Sequence, residues 1–184
     1  MKQNLLASVY IITIILSFFS CNFSSEPKEI TIDDKFKIMV PGYMRQRNSL
    51  NEDASLVYMN GLKEVYVMVI EDSYDSIEQF ILENDWEDEY TNDFDGFCQL
   101  VCRHEGEFFL TPNDYKKLQD GNINGLKAKV FQNTRIVNNI NVYYTLALIE
   151  GEDTYYQVIA WALPDRKNKY KETLENMINS FEEL

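Results

Sequence analysis

Cys98 and Cys102 stand as C-x3-C. On a helix, residues four apart share a face, so two thiolates there could grip a soft metal. A structural zinc site needs four ligands. The single His of the chain, His104, falls at the wrong helical phase to join the pair. A disulfide fits poorly too, because Cβ atoms four apart on a helix lie about 5–6 Å from each other and a bridge needs roughly 3.5–4.5 Å. The expectation is two buried, inert thiols among Phe94, Phe97 and Val101. Asp120-Gly121-Asn122-Ile123-Asn124-Gly125 reads D-x-N-x-N-G, the first half of a calcium loop. Such a loop is completed by a bidentate Glu six residues after its Gly, and Phe131 stands there, with Lys127 and Lys129 crowding the cation. A Gly/Asn turn leading into a strand is the expected structure. Asp93-x-Asp95-Gly96 is a weaker echo of the same pattern. No metal and no cofactor are expected.

Nucleophilic catalysis has no support either. There is no G-x-S-x-G, His104 has no evident dyad partner, and the Gly residues are scattered rather than gathered in a phosphate loop. The chain therefore reads as a non-enzyme. What remains is an acidic stretch, Asp85, Glu87, Asp88, Glu89, Asp93 and Asp95, interleaved with Trp86, Tyr90 and Phe94. Charge beside aromatics favours recognition, so Asp85, Trp86, Asp88, Glu89 and Tyr90 are the candidate surface for an envelope protein partner. The competing reading is a solvated helix end with its aromatics turned inward. A formal net charge of −13 repels phosphate backbones and anionic headgroups. No nucleic acid is expected as a partner, nor a membrane held through basic residues.

The third Cys lies in a different setting. Lys2 precedes a run, Leu5 to Phe19, broken only by Ser8, Tyr10, Thr13 and Ser17, with no acid before Glu26. This is the layout of an export signal, and it is short for a spanning helix of about 20 residues. The segment resembles a bacterial lipoprotein signal, with Ser20 as the small residue and Cys21 as the acceptor. Phe18 and Phe19 depart from the usual Leu and small residue at those places. The resemblance implies cleavage before Cys21 and acyl chains, palmitate among them, on its thiol and amino group. Two or more chains give stable attachment. An ordinary secretory signal and an uncleaved anchor are the alternatives. The chain thus divides into a signal peptide (1–20), a Ser-rich tether (21–28) and one domain (29–184). It would be lipid-anchored in the cell envelope. Without an acidic run after Cys21, it would face the periplasm.

These residues need elements to position them. Hydrophobic residues at 45% and aromatics at 14% are ample for a core. Phe36–Val40, Ala54–Met59 and Glu64–Ile70 read as strands, the last two joined at Asn60-Gly61. Asp75-Ser76-Ile77-Glu78 fits a capping box ahead of Phe80 and Ile81. A second short helix is expected from Asp95 to His104. Leu126–Val137, Val142–Glu150 and Tyr155–Leu163 read as hairpin-linked strands, hence antiparallel. The middle one is apolar on both faces and should be covered on both. Pro164-Asp165 opens a last helix with Tyr170, Leu174, Met177, Ile178 and Phe181 in one stripe.

The segments F-K-I-M-V-P-G-Y-M, A-S-L-V-Y, E-V-Y-V-M-V-I-E-D, YYTLALIEGEDTYYQVIAW and LPDRKNKY through SFEEL resemble the PsbP-like and DcrB-like superfamily. The double-Tyr strand, the short turn and the strand ending in an aromatic before a Pro-led helix are its most telling part. The resemblance covers most of 29–184. It implies an α+β fold, specifically an α/β/α sandwich whose antiparallel central sheet carries helices on both faces. It also implies a binding or accessory module without chemistry of its own. The runner-up reading is a small-ligand or cation-binding envelope protein.

Overall fold

The structure is a computed structural model. It describes residues 26–47, 51–105, 109–137 and 139–184, with residues 104 and 105 as backbone only. The stretch read as a signal and Cys21 lie outside the described residues. The chain runs through β1 (Pro27–Ile32), β2 (Phe36–Pro41), β3 (Arg45–Gln46), β4 (Ala54–Asn60), β5 (Val65–Ser73), α1 (Tyr74–Glu83) and α2 (Phe94–Leu100). It continues through β6 (Gln119–Ile123), β7 (Leu126–Val137), β8 (Ile140–Glu150), β9 (Thr154–Ala162), α3 (Lys167–Asn179) and β10 (Glu182–Glu183). The fold is mixed α+β, mostly strand, with two antiparallel sheets. One is seven-stranded, in the order β3-β4-β5-β9-β8-β7-β6, and one three-stranded, β1-β2-β10.

The doubly apolar strands take the centre of the large sheet. On one face, Val65, Val67 and Val69 of β5, Tyr143, Ala147 and Ile149 of β8, and Tyr156, Val158 and Ala160 of β9 share a core with the α3 stripe. Tyr170, Leu174, Met177, Ile178 and Phe181 are all buried there, as the helical spacing anticipates. Phe36, Ile38 and Val40 of the small sheet complete this core. On the other face, Met68, Tyr144, Leu146, Leu148, Tyr155 and Ile159 pack with Ile77 and Ile81 of α1 and with Phe94, Phe97 and Cys98 of α2. Each large side chain so buried stabilises by roughly 1.5–3 kcal/mol.

Several local expectations are corrected. The small sheet was not foreseen. Its first strand begins at Pro27, inside the stretch read as tether, and β10 is two residues long. The cap of α1 is Ser73, whose hydroxyl accepts from the Ser76 backbone N–H at 3.1 Å. The Asp75 box lies within the first turn instead. Asn60-Gly61 does not make a two-residue hairpin. The turn runs over residues 61–64, with Glu64 at φ 53° and Asn60 Oδ1 accepting from the Lys63 backbone N–H. The tight Asn-Gly turn is at Asn124-Gly125, both at positive φ (50° and 97°) between the paired Ile123 and Leu126. The second helix ends at Leu100 and passes into a π-helical turn, Val101–Glu105.

An aromatic cleft as the candidate functional site

The seven-stranded sheet is about 30 Å across, at 4.7–4.9 Å per strand. A helix of 10 residues, α1, spans only about 15 Å of its length and roughly 10 Å of its width. The shorter α2, of 7 residues, stacks its Phe97 on Tyr155 at 4.3 Å and 14°, and Tyr74 of α1 meets the same ring at 4.3 Å. Both helices therefore lie over the Tyr155 end of β9. At the Trp161 end of the same face, Phe109 lies over the sheet and lines a cleft.

Register determines what lines it. Along β5 the same face carries Tyr66, Met68, Ile70 and Asp72, opposite Trp161, Ile159, Gln157 and Tyr155 of β9. One cavity, of about 350 Å³, is lined by Tyr66, Met68, Phe109, Ile140, Val142 and Trp161, among others. A second, of about 290 Å³, runs on past Met68 and Phe109 to Asp53, Asp72 and Gln157. Asn51, Met68 and Phe109 line both, so the two adjoin as one cleft. Tyr66 and Trp161 stack at its apolar end, 5.0 Å between centroids and 5° between planes. Phe109 tilts onto Trp161 at 5.3 Å and meets Tyr144 edge-on at 5.2 Å. The Tyr144 hydroxyl donates to the Phe109 carbonyl, which ties the roof to the floor. Burial pushes that phenol up to about 12, so it stays a donor.

The other end is polar. Gln157, only 4% exposed, donates through Nε2 to Asp72 Oδ2 at 3.4 Å. Burial raises the Asp72 carboxyl above its ordinary value, against the lowering effect of Gln157 and with Asp53 and Glu71 adding to the rise. Chemically the cleft can hold an apolar body against rings and place a polar head near a carboxylate.

The residues singled out from sequence lie elsewhere. Asp85, Asp88 and Glu89 are exposed and Trp86 half-buried. Tyr90 is 5% exposed, so it is withdrawn from the surface it was expected to help form. Trp86 meets Phe80 and Tyr90 edge-on, and Glu89 pairs with Arg103. Cys98 and Cys102 are free, buried thiols, as expected of that pair. Burial raises both, Cys102 to about 12. In the calcium-like stretch Asp120, Asn122 and Asn124 each make a structural contact. Asp120 pairs with Lys129 at 3.1 Å, Asn122 Oδ1 accepts from the Gly125 N–H, and Asn124 Nδ2 donates to the Phe181 carbonyl at 2.7 Å. Asp93 caps α2, accepting from the Gly96 N–H and the Thr91 hydroxyl, which hold its carboxyl below the usual range. Among the described residues no cluster of His, Cys, Asp and Glu is placed to hold a metal ion.

Sequence reasoning missed Tyr66, Asp72, Phe109 and Gln157, and read Trp161 only as a strand end. A signal existed. Every second residue of β5 and β9 falls on the face that carries Tyr66, Asp72, Gln157 and Trp161. Bulky or polar groups at one parity of otherwise apolar strands mark a face that is not wholly packed.

No family model matches the chain, and no curated protein matches it. Solved structures do. The solution structure of cyanobacterial PsbP (CyanoP) from Synechocystis sp. PCC 6803 aligns with a TM-score of 0.53 at 9% identity, over 90% of this chain and 96% of that one. The fold is PsbP-like. A protein of Bacteroides thetaiotaomicron VPI-5482 aligns with a TM-score of 0.51 at 11% identity, over 88% of this chain, which spans about half (49%) of that one. LpqN of Mycobacterium tuberculosis, described as involved in cell envelope biogenesis, gives a TM-score of 0.47 at 11% identity over 86% of this chain and 90% of its own. At these identities the likeness concerns the fold alone. Among the described residues no helix is long and apolar enough to cross a membrane.

Proposed function

We propose that this chain is a lipoprotein of the cell envelope, anchored through acyl chains on Cys21, whose PsbP-like, α/β/α-sandwich domain is a non-catalytic module binding a small apolar or amphiphilic ligand. The anchoring half rests on the N-terminal sequence: the apolar run, then Ser20-Cys21, then a polar tether. The binding half rests on one observation, the stacked Tyr66 and Trp161 left half-exposed in a cleft roofed by Phe109. Apolar pockets with a few placed polar groups are the usual form of small-ligand sites. The solvated acids around Asp88, with Tyr90 turned inward, offer less to an envelope protein partner.

Two experiments test the two halves. Fractionation of cells expressing Cys21→Ser should move the protein from membrane to soluble envelope fraction; continued membrane retention removes the anchor. Native mass spectrometry of the protein purified from its host should detect a co-purifying small molecule that Trp161→Ala loses. If no small molecule is retained and crosslinking in intact cells instead returns one protein reproducibly, the module is an accessory subunit and the ligand reading is wrong.

A further inference from the structure

Resting on the reading of the cleft as a binding site, we infer that its occupant is a small organic cation, an ammonium compound with an aromatic or short apolar body. The body would lie against Tyr66, Trp161 and Phe109, and the ammonium would reach the Asp72–Asp53 end.

Charge complementarity carries the choice. Among the described residues, the charged ones lining the two cavities are Glu64, Asp53 and Asp72, and neither lining contains a Lys or Arg. Glu64 is already paired with Arg166 at 3.1 Å, so the carboxylates left to a ligand are Asp53 and Asp72. Among the described residues no Lys or Arg pairs with Asp72, and its one neutral donor, Gln157, is at the long distance of 3.4 Å. Even partial burial of a carboxylate without a cation is unfavourable. The structure leaves Asp72 half-buried without a cationic partner, near Asp53 at the entry of β4 and Gln157 of β9, while its neighbour Glu71 points to the opposite face and pairs with Lys35. An incoming ammonium would replace the missing partner through charge-assisted hydrogen bonds. The aromatic end suits the same ligand, since ring faces, Trp above all, attract cations as well as apolar surface. An anionic ligand would meet uncompensated carboxylates here and, on approach, a chain of net charge −13.

The test compares three probes of one skeleton, phenethylammonium, phenethyl alcohol and 3-phenylpropionate. Each is titrated calorimetrically into the full-length chain in zwitterionic nanodiscs, with empty nanodiscs subtracted. The ammonium should bind at least about tenfold more tightly than the alcohol, the scale of one charge-assisted contact. The carboxylate should not bind. Asp72→Asn should bring the ammonium down to the level of the alcohol and leave the alcohol unchanged. Because that variant alters a half-buried group, a second measurement on the unmodified chain stands beside it: added salt should weaken the ammonium and not the alcohol. If the alcohol or the carboxylate binds as tightly as the ammonium, the cation inference is overturned while the cleft remains a binding site. If no probe binds, or binding survives Trp161→Ala, both readings fall.

Discussion

The rings of Tyr66 and Trp161 lie stacked, 5.0 Å between centroids and 5° between planes, on directly opposed positions of β5 and β9. Cross-strand aromatic pairs contribute about 0.5–1.5 kcal/mol beyond their buried area. Trp161→Ala should therefore lower the urea midpoint modestly without abolishing the fold, because α1 and α2 cover the far end of β9. The pair also provides a reporter. The chain has two Trp, and Trp86 packs between Phe80 and Tyr90, away from the cleft. A ligand-induced change in Trp emission should persist in Trp86→Phe and vanish in Trp161→Phe. The opposite pattern would place binding at the acidic stretch.

Asp72 should make stability depend on pH in the direction opposite to most carboxylates. Burial raises its carboxyl above the ordinary 3.8, so in that window the folded chain holds a proton that the unfolded chain has released. The contribution is fully present below the unfolded value and is lost as pH rises through the raised, folded one. Asp72→Asn removes the half-buried charge. It should raise the melting temperature at neutral pH, with the gain shrinking to nothing as pH falls below the ordinary carboxylate value. Thermal melts across that range decide it; a variant less stable than the parent at neutral pH would mean that Asp72 already has a compensating partner.

The large sheet was legible because its strands carry their own instructions. VYYTLALI is apolar at both parities, which requires cover on both faces, and the α3 stripe from Tyr170 to Phe181 supplies one cover at helical spacing. The small sheet was not legible. β10 is two residues long, and its partners lie at the opposite end of the chain, Glu182 against Lys37 and Glu183 against Phe36, so no local pattern announces it. The cleft failed for a related reason. Tyr66, Asp72, Gln157 and Trp161 converge only once β5 and β9 are known to be neighbours, and that pairing joins segments about 90 residues apart. The acidic stretch attracted attention because it is contiguous, and contiguity in sequence says little about which rings reach the surface.

Cys98 and Cys102 should be inert in the native protein. The thiolate is the reactive species, and burial holds the Cys98 thiol above its usual value and the Cys102 thiol at about 12. Iodoacetamide at neutral pH should modify neither until denaturant unfolds the chain, read by intact mass. The same shifts predict an alkaline weakness: above the ordinary thiol value of 9.0 the unfolded chain ionises first, so stability falls as pH rises. Rapid native alkylation of either thiol would contradict the packing of α2 and the π-helical turn behind it.

Gly96 is the position where α2 tolerates least. A Cβ there would lie 1.7 Å from the Thr91 carbonyl oxygen and 2.7 Å from its carbon, both backbone atoms that no rotamer change can move aside. The approach is enforced by Asp93, which accepts from the Gly96 N–H at 2.9 Å and from the Thr91 hydroxyl at 2.7 Å and so folds the loop onto the helix start. Gly96→Ala must displace α2 from that loop and lift Phe97 from Tyr155. Overpacking of this kind costs about 1–3 kcal/mol, sometimes more, against about 1 kcal/mol for removing the cap itself with Asp93→Ala. Gly121→Ala is the control. Its Cβ would meet the Val130 methyls at 3.5 and 3.7 Å and the Ala128 carbonyl oxygen at 3.9 Å, all ordinary van der Waals contacts, and its backbone is not in the positive-φ region. Urea denaturation should rank the three with Gly96→Ala the most damaging and Gly121→Ala close to neutral. An equal effect of the two Gly substitutions would show that the Thr91 contact does not position α2.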